Sequence, residues 1–115
     1  MIRQSGKDTK AFLYVEDTVD GLLALAEKTA GCPDLFGESF NLAPAEPVTV
    51  LDLVKAALAV AGTGLEPVIE NPGADYAIEH LDTSKAKRLL EWQPRHTLHQ
   101  GLEKTIAWYD REFDE

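Results

Sequence analysis

The chain has 115 residues, with 20 acidic and 11 basic side chains and a formal net charge of −9. This length fits one domain with its own core, and the acidic balance excludes nucleic-acid binding through a basic face. The sequence has no long apolar run that would predict a signal peptide or a membrane span, and its single cysteine suits a reducing compartment, so we expect a cytoplasmic protein.

The first part of the chain predicts a short strand, a helix and a second strand. Ala11–Val15 favours extended structure, and Asp17 is predicted to cap the helix that follows and ends at Gly31. The residues Ser39–Leu42 suit the second strand. The apolar residues that share one face of the helix are Val19, Leu22, Leu23, Ala26 and Ala30.

The middle of the chain predicts an amphipathic helix and a third short strand. Thr49 is expected to cap this helix, with Asp52 completing a partial capping box, and Gly62 ends it. The residues Pro67–Ile69 suit a strand, and Asn71–Gly73 a turn. The apolar face of the helix carries Val50, Leu53, Val54, Ala57, Leu58 and Ala61.

The last part of the chain predicts two more helices. Thr83 is expected to cap a short helix through Leu90, and Thr97 forms a capping box with Gln100 for the last helix. The inner face of the last helix is predicted to carry Leu98, Leu102, Ile106, Tyr109 and Phe113. One core is predicted to contain Leu53, Val54, Leu58, Leu102 and Ile106.

About four helices alternating with short strands indicate an α/β unit, or an α+β unit when the chain is considered alone. The strands are too few and too short for a large sheet. We therefore expect that they complete a sheet begun elsewhere.

Four segments, in order along the chain, resemble the C-terminal substrate-binding part of the NAD-dependent epimerase/dehydratases, the extended short-chain dehydrogenase/reductases. The segments are Phe12–Leu22, Glu38–Ala43, Thr49–Ala61 and Pro72–Pro94. Within the family, the sequences of these segments are most similar to those of CDP-glucose 4,6-dehydratases. The resemblance covers nearly the whole chain and implies that residues 1–115 form a sugar-nucleotide-binding subdomain.

The resemblance also implies four substrate-binding residues. Lys10 stands where relatives usually have an arginine facing the substrate phosphates, and lysine lacks the two-pronged guanidinium fork. Asp75 matches a position that contacts a ribose hydroxyl, while Pro72 replaces a phosphate-binding arginine. Tyr14 and Asn41 also match substrate-side positions. A tyrosine at such a position more often packs in the core, and an asparagine near a strand end more often satisfies backbone groups there.

The chemistry of the family implies an N-terminal Rossmann domain that holds NAD, together with a Tyr-x-x-x-Lys pair. The sequence contains neither a glycine-rich nucleotide loop nor that pair, so we expect no catalytic residue and no cofactor in this chain, and no activity from it alone. His80, His96 and His99 form no metal motif and are interpreted as surface residues.

The sequence leaves open the nucleotide sugar, the reaction, and whether Met1 is a native start. If the chain is not part of an enzyme, it is either a stand-alone, non-catalytic binding or oligomerisation module or a degenerate remnant that binds no ligand. We expect a homo-oligomer, because the strand at Phe40–Leu42 would be an unpaired edge and the helix would expose Leu22, Leu23 and Leu25. A nucleotide sugar and a Rossmann domain are the other partners that the resemblance implies, and no membrane partner is expected.

Overall fold

A computed structural model describes residues 1–114 and shows a small α/β fold with four α-helices. A short 3₁₀ turn at Pro33–Leu35 follows the first helix. The elements are β1 (Thr9–Lys10), α1 (Val15–Gly31), β2 (Val48–Thr49), α2 (Val50–Ala61), α3 (Ser84–Leu90) and α4 (Leu98–Phe113). The predicted fold class, four helices with short strands, is confirmed.

The sheet consists of two short strands with further extended chain beside them. β1 and β2 are antiparallel, with Thr9 opposite Thr49 and Lys10 opposite Val48. On the other side of β1, Thr9 forms a parallel bridge with Ile78. The strand predicted at Pro67–Ile69 is reduced to one parallel bridge between Ile2 and Ile69.

Two predicted strands are absent from the described residues. Ala11–Val15 was expected to be extended, but the ladder ends at Lys10 and α1 already begins at Val15. The backbone N–H of Ala11 donates to the Glu79 side chain instead of to a neighbouring strand. Ser39–Leu42 likewise has no regular structure. β-propensity alone does not make a strand, because a ladder also needs a partner.

The predicted caps hold for two of the helices. Thr49 Oγ1 accepts from the Asp52 N–H at 3.0 Å, and the left-handed Gly62 (φ 67°) ends α2. The capping box of Thr97 and Gln100 is complete. Thr83 stands at the N-cap position of α3, and the helix ends at Leu90 as predicted, but the Thr83 side chain makes no capping hydrogen bond. Instead, Asp82 Oδ1 accepts from the Ser84 N–H at 2.9 Å.

The buried core lies between α1 and the end of α3. Its fully buried members are Ala86, Leu90 and Trp92. Partly buried side chains packed around them are Leu13, Ala24, Leu25, Phe40 and Leu42. Leu25 therefore belongs to the core and was wrongly predicted to be exposed.

Helices α2 and α4 pack against each other as a second layer. The five residues predicted to form one core lie on these two helices, but each is only half-buried. The pairing of these helices agrees with the prediction, but the five residues lie outside the buried cluster of Ala86, Leu90 and Trp92. Tyr109 and Phe113, predicted on the inner face of α4, are exposed.

Helix α1 is turned so that its less apolar side faces the core. The buried residues of α1 are Asp17 and Gly21, and an added Cβ at Gly21 would lie 2.5 Å from Leu42 Cδ1. The predicted apolar face lies on the opposite side and is exposed to solvent. We call this surface the α1 stripe; its residues are Val15, Val19, Leu22, Leu23 and Ala26.

Candidate functional site

A buried carboxylate in the first turn of α1 anchors the connection between α3 and α4. Asp17 was predicted to cap α1, but Tyr14 is the N-cap residue and Asp17 lies inside the helix with 1% of its surface exposed. Asp17 Oδ1 accepts from the Arg95 N–H at 3.1 Å, and Oδ2 accepts from the His96 N–H at 3.1 Å. The carboxylate thus fixes residues that are distant in sequence.

The side chain of His96 completes this anchor. Its Nδ1 lies 2.9 Å from Asp17 Oδ1, so Nδ1 is the donor to the carboxylate. The indole Nε1–H of Trp92 donates to the backbone oxygen of Asp17 at 3.0 Å. Burial raises the pKa of the Asp17 carboxyl, but hydrogen bonds from the His96 ring and from the Arg95 and His96 N–H groups outweigh it and hold the pKa below its ordinary value.

Further polar and aromatic groups surround the outer side of the His96 ring. Lys104 Nζ lies 3.1 Å from His96 Nε2, and 3.5 Å from Glu16 Oε2. The Tyr14 ring meets the His96 ring edge-on, with the centroids 4.8 Å apart. With Nδ1–H directed at Asp17, Nε2 is the ring atom that faces the Lys104 ammonium group and can accept from it.

A groove of about 510 Å³ opens beside this cluster, a volume within the usual range of small-molecule sites. Its walls are mostly apolar, and the polar or charged residues that line it are Glu46, Arg95, His96, Thr97 and Thr105. Gly101 lets α4 approach Tyr14 closely, because an added Cβ would lie 3.1 Å from Tyr14 Cβ. The apolar side chains that line the groove include Phe12, Tyr14, Pro44, Val48, Leu53 and Leu102.

Of the four residues predicted to bind substrate, only Tyr14 lies in this groove. Lys10 is exposed on β1, and Asp75 is exposed just before the segment that pairs with β1. The parallel bridge between Thr9 and Ile78 places Lys10 and Asp75 at opposite ends of this pairing.

Asn41 lies apart from the groove. Its Nδ2 donates to the backbone oxygen of Asp82 at 3.3 Å, as expected for an amide that satisfies a main-chain group. Among residues 1–114, no hydrogen bond or ion pair joins any two of Lys10, Tyr14, Asn41 and Asp75. The four predicted site residues therefore do not contact one another, and the substrate role of each stays a prediction.

Sequence reasoning missed the cluster around His96. It interpreted His96 as a surface residue, and nothing in the local sequence indicates that a histidine before a capping box would meet a carboxylate in α1. Lys104 was also not singled out. One feature of the sequence could have drawn attention to this cluster: Asp17 and Trp92 each lie in a segment that resembles a family motif.

The described residues do not fit NAD. Dinucleotide sites place the pyrophosphate on a glycine-rich turn at the start of a helix. Here the residues before α1 are Leu13 and Tyr14, and those before α2 are Val48 and Thr49. Within residues 1–114, no group of three or more His, Cys, Asp and Glu side chains could hold a metal ion, and none of the helices is long and apolar enough to cross a membrane.

No family model matches the chain, but individual proteins do. A UDP-glucuronic acid decarboxylase 1 from Danio rerio is 34% identical over 113 residues, covering 96% of this chain and 25% of that protein. A UDP-glucose 4-epimerase from Mycolicibacterium smegmatis is 30% identical over 105 residues, covering 90% of this chain and 32% of that protein. The chain thus spans about a quarter to a third of the length of these relatives.

The fold agrees with solved structures of the same group. The crystal structure of a UDP-glucose 4-epimerase with UDP-glucose, from Thermotoga maritima, superposes with a TM-score of 0.77 at 29% identity. The match covers 99% of this chain and 35% of that protein. The likeness to CDP-glucose 4,6-dehydratases stays a prediction. In sequence and in fold, the chain matches one part of the NAD-dependent epimerase/dehydratases, the small C-terminal α/β part of the extended short-chain dehydrogenase/reductases.

Proposed function

We propose that this chain is the sugar-nucleotide-binding part of an NAD-dependent epimerase/dehydratase. The observation that carries the proposal is the match to nucleotide-sugar enzymes along almost the whole chain in both sequence and fold. One of these enzymes is described as a complex with UDP-glucose. We place the protein in the cytoplasm, since its single cysteine suits a reducing compartment.

The proposed ligand contacts are Lys10 toward the phosphates and Asp75 toward a ribose hydroxyl, with Tyr14 and Asn41 on the substrate side. The exposure of Lys10 and Asp75 supports this proposal, because both side chains are free to meet a ligand. Because they lie at opposite ends of the pairing between β1 and Ile78, a ligand that meets both must be extended. Because Glu79 reaches the backbone beside Lys10, we expect weak phosphate binding.

The chain supplies binding surface and, in this proposal, no chemistry. Hydride transfer needs a bound nicotinamide, and the family uses a tyrosine–lysine pair to remove the proton from the sugar hydroxyl. The sequence has no Tyr-x-x-x-Lys, since Thr18, His80 and Phe113 stand four residues after its three tyrosines. An NAD-binding domain must therefore come from elsewhere for turnover to occur.

A thermal-shift series with UDP-glucose, UDP-glucuronic acid, CDP-glucose and dTDP-glucose tests the proposed binding. A true ligand raises the unfolding temperature progressively as its concentration rises. At 100 times its Kd, the ligand stabilises the folded chain by about 2.7 kcal/mol. We expect Lys10→Ala to weaken binding and the exposed Lys55→Ala, on α2, to leave it unchanged. Equal responses of these two variants would remove Lys10 from the site, and no response to any of the four compounds would contradict the proposed function.

The second candidate function is a stand-alone, non-catalytic binding or oligomerisation module. The observation that favours it is the α1 stripe, since an exposed apolar helix face usually has a partner. Purified chain that turns over no nucleotide sugar in the presence of NAD, and binds none, would support this alternative.

A further inference from the structure

The ring of His96 lies between a carboxylate and an ammonium group. Its Nδ1 is 2.9 Å from Asp17 Oδ1, and its Nε2 is 3.1 Å from Lys104 Nζ. An ammonium group carries only donors, and so does a protonated imidazole ring. A hydrogen bond between Lys104 and Nε2 therefore needs the lone pair of a neutral ring whose proton is on Nδ1. This arrangement of the three side chains fits one protonation state of His96.

A second partner for Nε2 stands close by. Glu16 Oε2 is 4.0 Å from His96 Nε2 and 3.5 Å from Lys104 Nζ, so the same oxygen faces both groups. Protonation gives Nε2 a hydrogen and a share of the positive charge, and like charges this close repel each other. A carboxylate accepts from the new N–H, and a shift of about 1 Å brings the Glu16 oxygen within hydrogen-bonding distance of Nε2.

The burial of the four side chains determines which of them can move. Asp17 and His96 are 1% and 17% exposed, whereas Lys104 and Glu16 are 52% and 59% exposed. The Asp17 carboxylate also accepts from the backbone N–H groups of Arg95 and His96, which fixes this end of the ring. Lys104 carries its charge on a long, flexible stem. The ring therefore stays in place on protonation, and Lys104 is the group that leaves.

The other groups around the ring do not compete for Nε2. Among residues 1–114, hydrogen bonds and ion pairs connect Nε2 only with Lys104 and Glu16. Tyr14 meets the ring edge-on, and its own ring centroid lies 5.9 Å from Lys104 Nζ. The other charged residues that line the adjoining groove are Arg95 and Glu46.

We propose that His96 is a proton-driven switch of the contact between α4 and the start of α1. The neutral ring holds Lys104 near Glu16 and over the Tyr14 ring. The protonated ring keeps Asp17, takes Glu16 as its second partner and releases Lys104, which removes an ion pair between α4 and α1 beside the groove. Histidine ordinarily changes its charge between about pH 5 and 8, so the exchange falls in the physiological range. The switch does not depend on nucleotide-sugar binding, since all of its contacts lie within this chain.

Nuclear magnetic resonance of the chain labelled with ¹⁵N and ¹³C, between about pH 5 and 8, tests the switch. The ring ¹⁵N signals should show that neutral His96 carries its proton on Nδ1. The ¹³Cε signal of Lys104, assigned from its loss in Lys104→Met, should change with pH along the same curve as the His96 ring. His99 is the internal control, because it is 64% exposed, pairs with Glu103 and should titrate without affecting Lys104.

Two variants separate the effects of the two histidines. In His96→Gln the pH response of the Lys104 signal should disappear, whereas in His99→Gln it should remain. Circular dichroism checks that both variants are folded, and if His96→Gln is not, the agreement of the two curves in the unchanged chain still decides. The switch is overturned if neutral His96 carries its proton on Nε2, or if its ring does not change charge between about pH 5 and 8. A Lys104 signal that ignores the titration of His96, or that still responds in His96→Gln, also overturns it.

Discussion

Replacing Asp17 with asparagine tests the anchor that joins α1 to the connection between α3 and α4. The carboxylate accepts three hydrogen bonds, from the Arg95 N–H and from the backbone N–H and ring of His96. Asparagine keeps one acceptor oxygen but places an amide NH₂ where the other oxygen was. At least one buried donor then loses its partner, and the remaining bonds lose the help of the negative charge.

The magnitude follows from these lost contacts. An unsatisfied buried donor costs about 1–3 kcal/mol, and hydrogen bonds to charged groups are worth about 1.5–3 kcal/mol. We therefore expect Asp17→Asn to lower the free energy of unfolding by about 2–4 kcal/mol. In urea this lowers the midpoint by about 1–2 M for a slope near 2 kcal/mol/M.

Urea unfolding followed by circular dichroism measures this loss. The matched control is Asp110→Asn on the exposed surface of α4, which should change stability by less than about 0.5 kcal/mol. If the two variants lose equally little, the anchor contributes nothing to stability and the reasoning about Asp17 is refuted.

Three further predictions follow from the same structure. Gly21→Ala should destabilise the chain by about 1–2 kcal/mol, because overpacking against Leu42 outweighs the gain in helix propensity. The control Gly31→Ala has open space around the added Cβ and should be neutral or stabilising. Urea midpoints that change equally in the two variants would refute this prediction. The pKa of the Asp17 carboxyl in the folded chain lies below its ordinary value of 3.8, so its contribution to the free energy of unfolding is complete above pH 3.8 and is lost as the pH falls through the lowered pKa. The free energy of unfolding of Asp17→Asn, measured in urea at several pH values, should therefore fall less with acid than that of the unchanged chain. Leu102→Ala should cost about 1–2 kcal/mol, less than the 2–5 kcal/mol of a fully buried leucine, and a larger loss in urea would show a tighter core.

The helices could be predicted from the sequence because their ends are set by local groups. Thr49, Gly62 and the Thr97–Gln100 capping box each act on backbone groups within a few residues. The strands could not be predicted in the same way, since Ala11–Val15 and Ser39–Leu42 have suitable residues but no partner strand among residues 1–114.

The role of Asp17 was hidden from the sequence for a related reason. A carboxylate near a helix start is usually a cap, but Asp17 is one turn too far inside, and its partners stand 78 and 79 residues later. Similarly, the spacing of the apolar residues correctly placed the α1 stripe on one face of the helix, but it did not indicate which face packs against the core. The buried face is defined by Gly21, whose missing side chain admits Leu42, and glycine carries no hydrophobic signal.

The most direct test of the central claim is a titration of ¹⁵N-labelled chain with UDP-glucose, followed by amide chemical shifts. The account predicts concentration-dependent shifts for Lys10, Tyr14 and Asp75 and little change along the α1 stripe. If UDP-glucose gives no shift up to about 10 mM, the titration is repeated with UDP-glucuronic acid, CDP-glucose and dTDP-glucose. The absence of any shift with all four compounds, or shifts confined to α1, would contradict the claim that this chain binds a nucleotide sugar.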